Sequence, residues 1–195
     1  MPSCTATRVI TAALVAGAAL SPAVAAAQTP APAMRVHAIF SGGRNANFHV
    51  GEVVQVDVRN AGGRKLTQVC FSPAPISRPA CSGSGVAAPS QTGTTTITAT
   101  LSDGRKLTRA FTIHAPATKV GGPIAVPATI RCVDMNLYAN YNARRHRSIG
   151  VRGTVHRGDR VALYNRIAPG KIFMWDYATN LGGFGSESCA QTGAA

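Results

Sequence analysis

Thr94-Thr-Thr-Ile-Thr-Ala-Thr-Leu101 is followed by Ser102-Asp103-Gly104-Arg105 and then by Lys106-Leu-Thr-Arg-Ala-Phe-Thr-Ile113. Two runs rich in β-branched residues thus flank an Asp-Gly pair. That pair predicts a tight hairpin, because both central positions of a type I′ turn require positive φ. The same pattern continues outward. Arg35-Val-His-Ala-Ile-Phe40 alternates apolar and polar residues, and Val53-Val-Gln-Val-Asp-Val-Arg59 sets Val54, Val56 and Val58 against Gln55, Asp57 and Arg59. Such alternation marks half-buried antiparallel strands. After a turn at Asn60-Ala-Gly-Gly63, Lys65-Leu-Thr-Gln-Val-Cys-Phe71 is expected to pair with the run before it. A long Pro- and Ser-rich crossing then leads on to Thr94. Five or more strands in about eighty residues bury their apolar faces best as a β-sandwich, which we place at 35–115.

The strand pattern of 35–115 resembles a bacterial immunoglobulin-like domain, although it has neither the buried Trp nor the inter-sheet Cys pair of antibody domains. The Gly- and Pro-rich stretch 116–129 reads as a linker. Beyond it come Ile130-Arg-Cys-Val-Asp-Met-Asn-Leu-Tyr138, a polar stretch, Ser148-Ile-Gly150, Thr154-Val-His-Arg-Gly158-Asp159-Arg-Val161 and the Trp-bearing Ile172-Phe-Met-Trp175-Asp-Tyr177. This order resembles the bacterial SH3-like domains of extracytoplasmic proteins. The resemblance implies a small SH3-like barrel over 130–190 and a module that binds cell-wall peptide or glycan. Members of that family usually continue the opening motif with an Arg and a Gly-Pro turn. Here Tyr138-Ala-Asn-Tyr141-Asn-Ala-Arg144-Arg-His-Arg147 takes that place, so a groove built on this loop would differ chemically. The expected fold class is therefore all-β, an immunoglobulin-like sandwich followed by an SH3-like barrel.

The N-terminus has the features of an export signal. One positive charge, Arg8, precedes an apolar run from Val9 to about Leu20, and Ala23-Val-Ala-Ala-Ala27 supplies the small residues that signal peptidase reads. We expect residues 1–27 to be removed, an extended leader at 28–34, and a secreted or periplasmic protein without a transmembrane anchor. Removing Cys4 leaves Cys70, Cys81, Cys132 and Cys189, an even number suited to an oxidising compartment. Three pairings are formally possible. Proximity favours Cys70 with Cys81 and Cys132 with Cys189, the second serving as a staple for a unit of roughly sixty residues.

The chain carries 20 Lys and Arg against 7 Asp and Glu; without Arg8 nineteen basic residues remain and the net charge is +12. Such a charge points to anionic partners, among them envelope polymers, membrane surfaces and, less favoured, nucleic acid. Tyr138, Tyr141, Trp175 and Tyr177 lie in the same unit as Arg144, Arg145 and Arg147. Rings stack on sugars and guanidinium groups bind carboxylate or phosphate, so these seven are the candidate ligand-binding residues. The competing reading makes Trp175 a core residue and the Arg cluster a solvated loop.

No catalytic constellation is visible. The acids Glu52, Asp57, Asp103, Asp134, Asp159, Asp176 and Glu187 are scattered, and the histidines occur singly, without the spacing of a metal site. Gly83-Ser84-Gly85 lacks the strand-to-helix setting of a nucleophile elbow. We therefore expect no catalytic residues, no metal and no cofactor. The expected function is non-catalytic binding of an anionic polymer or cell-wall peptide or glycan at the envelope. One alternative is an inhibitor or interaction module that contacts a secreted protein through the Cys70–Cys81 loop. Another is a small enzyme with an unrecognised site.

Overall fold

The computed structural model describes residues 30–41, 48–76 and 78–193; the expected signal segment 1–27 lies outside them. The described chain is all-β. Its strands are β1 (Ala33–Ala38), β2 (Phe48–His49), β3 (Val54–Arg59), β4 (Leu66–Ser72), β5 (Cys81–Ser82), β6 (Val86–Ala87), β7 (Gly93–Leu101) and β8 (Lys106–His114). They continue with β9 (Val126–Ile130), β10 (Asp134–Asn142), β11 (Arg147–His156), β12 (Arg160–Ala168), β13 (Lys171–Asp176), β14 (Leu181–Ser186) and β15 (Ala190–Thr192). Among the described residues no helix is long and apolar enough to cross a membrane.

Two sheets, ordered β1-β3-β6 and β2-β8-β7-β4-β5, form a sandwich. Their inner faces supply Val36, Val54 and Val56 from one side and Val69, Phe71, Ile97, Ala99, Phe111 and Ile113 from the other, all buried in one cluster. The alternation read from the sequence is thus a true inward–outward alternation, but one pairing is corrected. β3 pairs with β1 and β6, whereas β4 pairs with β5 and β7. The Asn60–Gly63 segment therefore crosses between sheets, helped by positive φ at Asn60, Gly62 and Gly63. Short connections favour hairpins, yet a sandwich also needs arches, and local sequence does not separate the two.

The β7–β8 hairpin is present, in register from Gly93↔Ile113 to Thr100↔Lys106. Its turn is not type I′, since only Gly104 has positive φ (82°) and Asp103 does not. Gly104 N–H donates to the Leu101 carbonyl and Leu101 N–H to the Arg105 carbonyl, each at 2.9 Å, the geometry of a longer loop closed by one left-handed Gly. Asp103 accepts from Arg105 N–H and pairs with Arg64, which accounts for its conformation.

The second unit is one curled, barrel-like sheet ordered β11-β10-β14-β13-β12-β9-β15. Its concave core holds Val126, Ile130, Leu137, Val155, Val161, Leu163, Ile172 and Met174. Here the linker expectation is corrected at its end, because 126–129 belong to β9, between β12 and β15. Pro127 is tolerated there because β15 pairs only with 128–130, leaving Pro127 beyond its reach. The leader is likewise shorter than expected, with Ala33 and Met34 already in β1.

Both disulfides form as the spacing indicated, Cys70–Cys81 across β4 and β5 and Cys132–Cys189 between the β9–β10 connection and the turn that leads into β15.

The two units share a third core. Val53, Ile76 and Ala88 from the sandwich pack with Ala125, Ala162, Tyr164 and Tyr177. Tyr177 Oη donates to the Gly51 carbonyl at 2.6 Å, and Val53 N–H donates to Tyr164 Oη at 3.1 Å. Burial pushes both phenols well above their ordinary pKa, so they remain neutral partners. Gly51 has φ +79, and a Cβ there would lie 2.4 Å from Pro127 Cγ, which explains Gly at this contact.

Candidate functional site

Strand β13 alternates sharply. Ile172, Met174 and Asp176 are buried on the concave side, while Phe173 and Trp175 face the other way, toward the sandwich. The opposite face therefore collects rings. Phe40, at the end of the segment that follows β1, lies 4.7 Å from Tyr164, 5.0 Å from Phe173 and 5.4 Å from Trp175, centroid to centroid. Phe173 meets Phe184 edge-on at 5.4 Å. Phe40, Tyr164, Asn165, Ile167, Phe173 and Phe184 line an open cleft of ≈ 280 Å³. Its lining is almost wholly apolar, with the Asn165 amide as the polar exception.

The position of Phe40 rests on a buried carboxylate. Glu52 is 1% exposed and accepts a hydrogen bond from His49 N–H (3.1 Å) and another from Ser41 Oγ. It thereby ties together the residues that flank segment 42–47. A buried carboxylate needs such donors to offset its lost hydration.

The ring row extends beyond the cleft through strand register. Phe173 stands opposite Phe184, Phe184 opposite Tyr138, and Tyr138 opposite Val151, across β13, β14, β10 and β11. From Tyr138 the β10–β11 hairpin leads to a four-residue loop, Ala143 to His146, closed by Asn142↔Arg147. Asn142 Oδ1 accepts from Arg145 N–H at 3.1 Å, and His146 takes φ 46°, a conformation that short polar turns allow. Arg144, Arg145 and Arg147 are exposed, and none of the ion pairs among the described residues involves them. The Lys171 ammonium sits 6.0 Å from the Tyr141 ring centroid. From Met135 to Gly158 the sequence has five Arg and no Asp or Glu, so the hairpin is a local positive field.

The structure thus brings Tyr138, Tyr141, Arg144, Arg145 and Arg147 together on one hairpin. Tyr177 is corrected: only 3% exposed and hydrogen-bonded to Gly51, it belongs to the core shared by the units and offers no ring to a ligand. Trp175 is half-buried against Phe40 at the edge of that core, its Nε1–H buried without an acceptor, so packing is its main role. Sequence reasoning missed Phe40, Phe173 and Phe184. Alternation within Ile172-Phe-Met-Trp175 signals two faces of a strand, but which partner strand brings Phe184 alongside is not written locally.

The Cys70–Cys81 loop is not a free protrusion. Ile76 is 2% exposed within the shared core, and its N–H donates to the Ala88 carbonyl at 2.9 Å. Three His pairings also appear, one of them between His37 Nδ1 and Asp57 Oδ2 at 3.4 Å. His156 Nδ1 lies 2.6 Å from Asp134 Oδ1 across β10 and β11, and the His49 and His114 rings are 5.5 Å apart. Among the described residues no group of three or more His, Cys, Asp and Glu is placed to hold a metal ion.

No protein-family model matches the chain, and no curated protein is significantly similar to it in sequence.

Proposed function

We propose that this is a non-catalytic binding protein, secreted or periplasmic, that recognises an anionic glycan-bearing polymer at the cell envelope. The observation that carries this reading is the row of rings running from the Phe40–Phe173–Phe184 cleft to Tyr138, together with three arginines outside any ion pair at the far tip of the same hairpin. Sugar rings stack on flat aromatic faces, and guanidinium groups engage carboxylate or phosphate. An elongated ligand carrying both kinds of group fits the row better than a compact one. The resemblance to SH3-like wall-binding modules adds support, as do the export-like N-terminus and the two disulfides.

Retention on purified cell wall tests the reading. Replacing Arg144, Arg145 and Arg147 with Ala lowers retention and reduces the slope of log affinity against log salt by about two to three, because fewer counterions are released on binding. Tyr141→Ala weakens retention at every salt concentration without changing that slope. A triple variant retained like the parent across the whole salt range removes the basis of the proposal.

A further inference from the structure

The hairpin carries a feature that polymer binding does not use. Ile149 and Val151 on β11 are 47% and 59% exposed, two of the four large hydrophobics left open among the described residues. Val151 stands opposite Tyr138 and Ile149 opposite Asn140, so these two apolar side chains sit beside an amphipathic ring. Arg144, Arg145 and Arg147 lie at the loop, and exposed Arg152 follows Val151, its guanidinium donating to the Gly182 carbonyl at 3.0 Å. Exposed apolar residues on a hairpin that carries these arginines, with no Asp or Glu between Met135 and Gly158, make a cationic amphipathic surface.

Strand pairing is a poor use for this edge. β11 lies at the end of its sheet, but Arg152 is an extra residue against β10, between the pairs Val151↔Tyr138 and Gly153↔Leu137, and Gly150 takes φ +68. A bulge and a left-handed Gly break the regular row of outward N–H and C=O groups that an added strand needs. A second copy of so basic a chain would bring arginines against arginines. An anionic lipid leaflet satisfies both features together, because its phosphates meet the guanidinium groups and its interfacial zone takes up Ile149, Val151 and the Tyr138 ring.

We propose that the β10–β11 hairpin docks on anionic membrane surfaces, with Ile149 and Val151 entering the headgroup boundary and Arg144, Arg145 and Arg147 pairing with lipid phosphates. This stands apart from the polymer reading, since it rests on the two apolar residues.

The test is co-sedimentation of the full mature protein with phosphatidylcholine vesicles, with and without about 30% phosphatidylglycerol. Each Arg near an anionic surface favours partition about five-fold, so the parent should prefer the anionic vesicles by about ten-fold or more. The I149S/V151S double variant should lose about ten-fold in partition to those vesicles while its retention on cell wall and its salt slope stay at parent values. A second variant, Val151→Trp, places an indole at the contact, and lipids brominated near the headgroup should quench it. Equal partition of the parent into neutral and anionic vesicles overturns the proposal. So does parent-like partition of the double variant, or an indole at 151 that brominated lipid leaves unquenched. None of these outcomes touches cell-wall retention, so the two readings fail separately.

Discussion

Tyr177→Phe is the sharpest probe of how the two units are held together. The substitution keeps the ring in the shared core and removes only the hydroxyl that donates to Gly51 at 2.6 Å. Tyr177 is 3% exposed and Gly51 is buried, so water cannot replace the lost donor. An orphaned buried carbonyl costs about 1–3 kcal/mol, which for a chain of this size lowers Tm by about 2–4 °C per kcal/mol. Tyr164→Phe should cost a similar amount by orphaning the Val53 N–H. A common core also predicts a common transition. Urea unfolding followed by Trp175 fluorescence, which reports the curled sheet, should coincide with unfolding followed by far-UV circular dichroism, which reports both units. A parent whose two probes give separate midpoints, or a Tyr177→Phe variant within about 0.3 kcal/mol of the parent, would refute the shared core as the source of cohesion.

The disulfides close loops of different length, with sequence separations of 57 for Cys132–Cys189 and 11 for Cys70–Cys81. On the chain-entropy model, replacing the first pair with Ser costs about 4 kcal/mol and the second about 3, to be compared by urea midpoints. Arg166 donates from both Nε (2.7 Å) and Nη2 to the Glu187 carboxylate; this holds the Glu187 pKa below the ordinary 4.5. A depressed folded-state pKa gives stability that is fully present above 4.5 and lost as pH falls through the folded value. Carbon-detected titration should therefore place Glu187 below 4.5 in the parent and nearer 4.5 in Arg166→Gln. The stability gap between the two proteins should be small at neutral pH, because the Arg166 guanidinium is exposed to water, and it should vanish in acid.

What the sequence determined rests on short-range physics. Period-two alternation in 53–59, 94–101 and 106–113 decides which side chains turn inward, and inward is where the structure buries them. Cysteine spacing was enough for the disulfides, because loop closure favours near partners and the second pair then follows. The hairpin that gathers Tyr138, Tyr141 and Arg144 to Arg147 was visible as a cluster because its members lie within ten positions of one another. Tertiary structure decided everything that depends on which strands become neighbours. It sent β3 and β4 to opposite sheets, drew Val126 to Thr129 out of the linker, and moved Tyr177 from a predicted binding surface into the core. It also assembled the ring row from Phe40, Phe173 and Phe184, which are separated by up to 144 positions. Alternation specifies that a residue faces one side of its strand. What stands on that side is set by the register and packing of distant segments, and no local pattern carries that information.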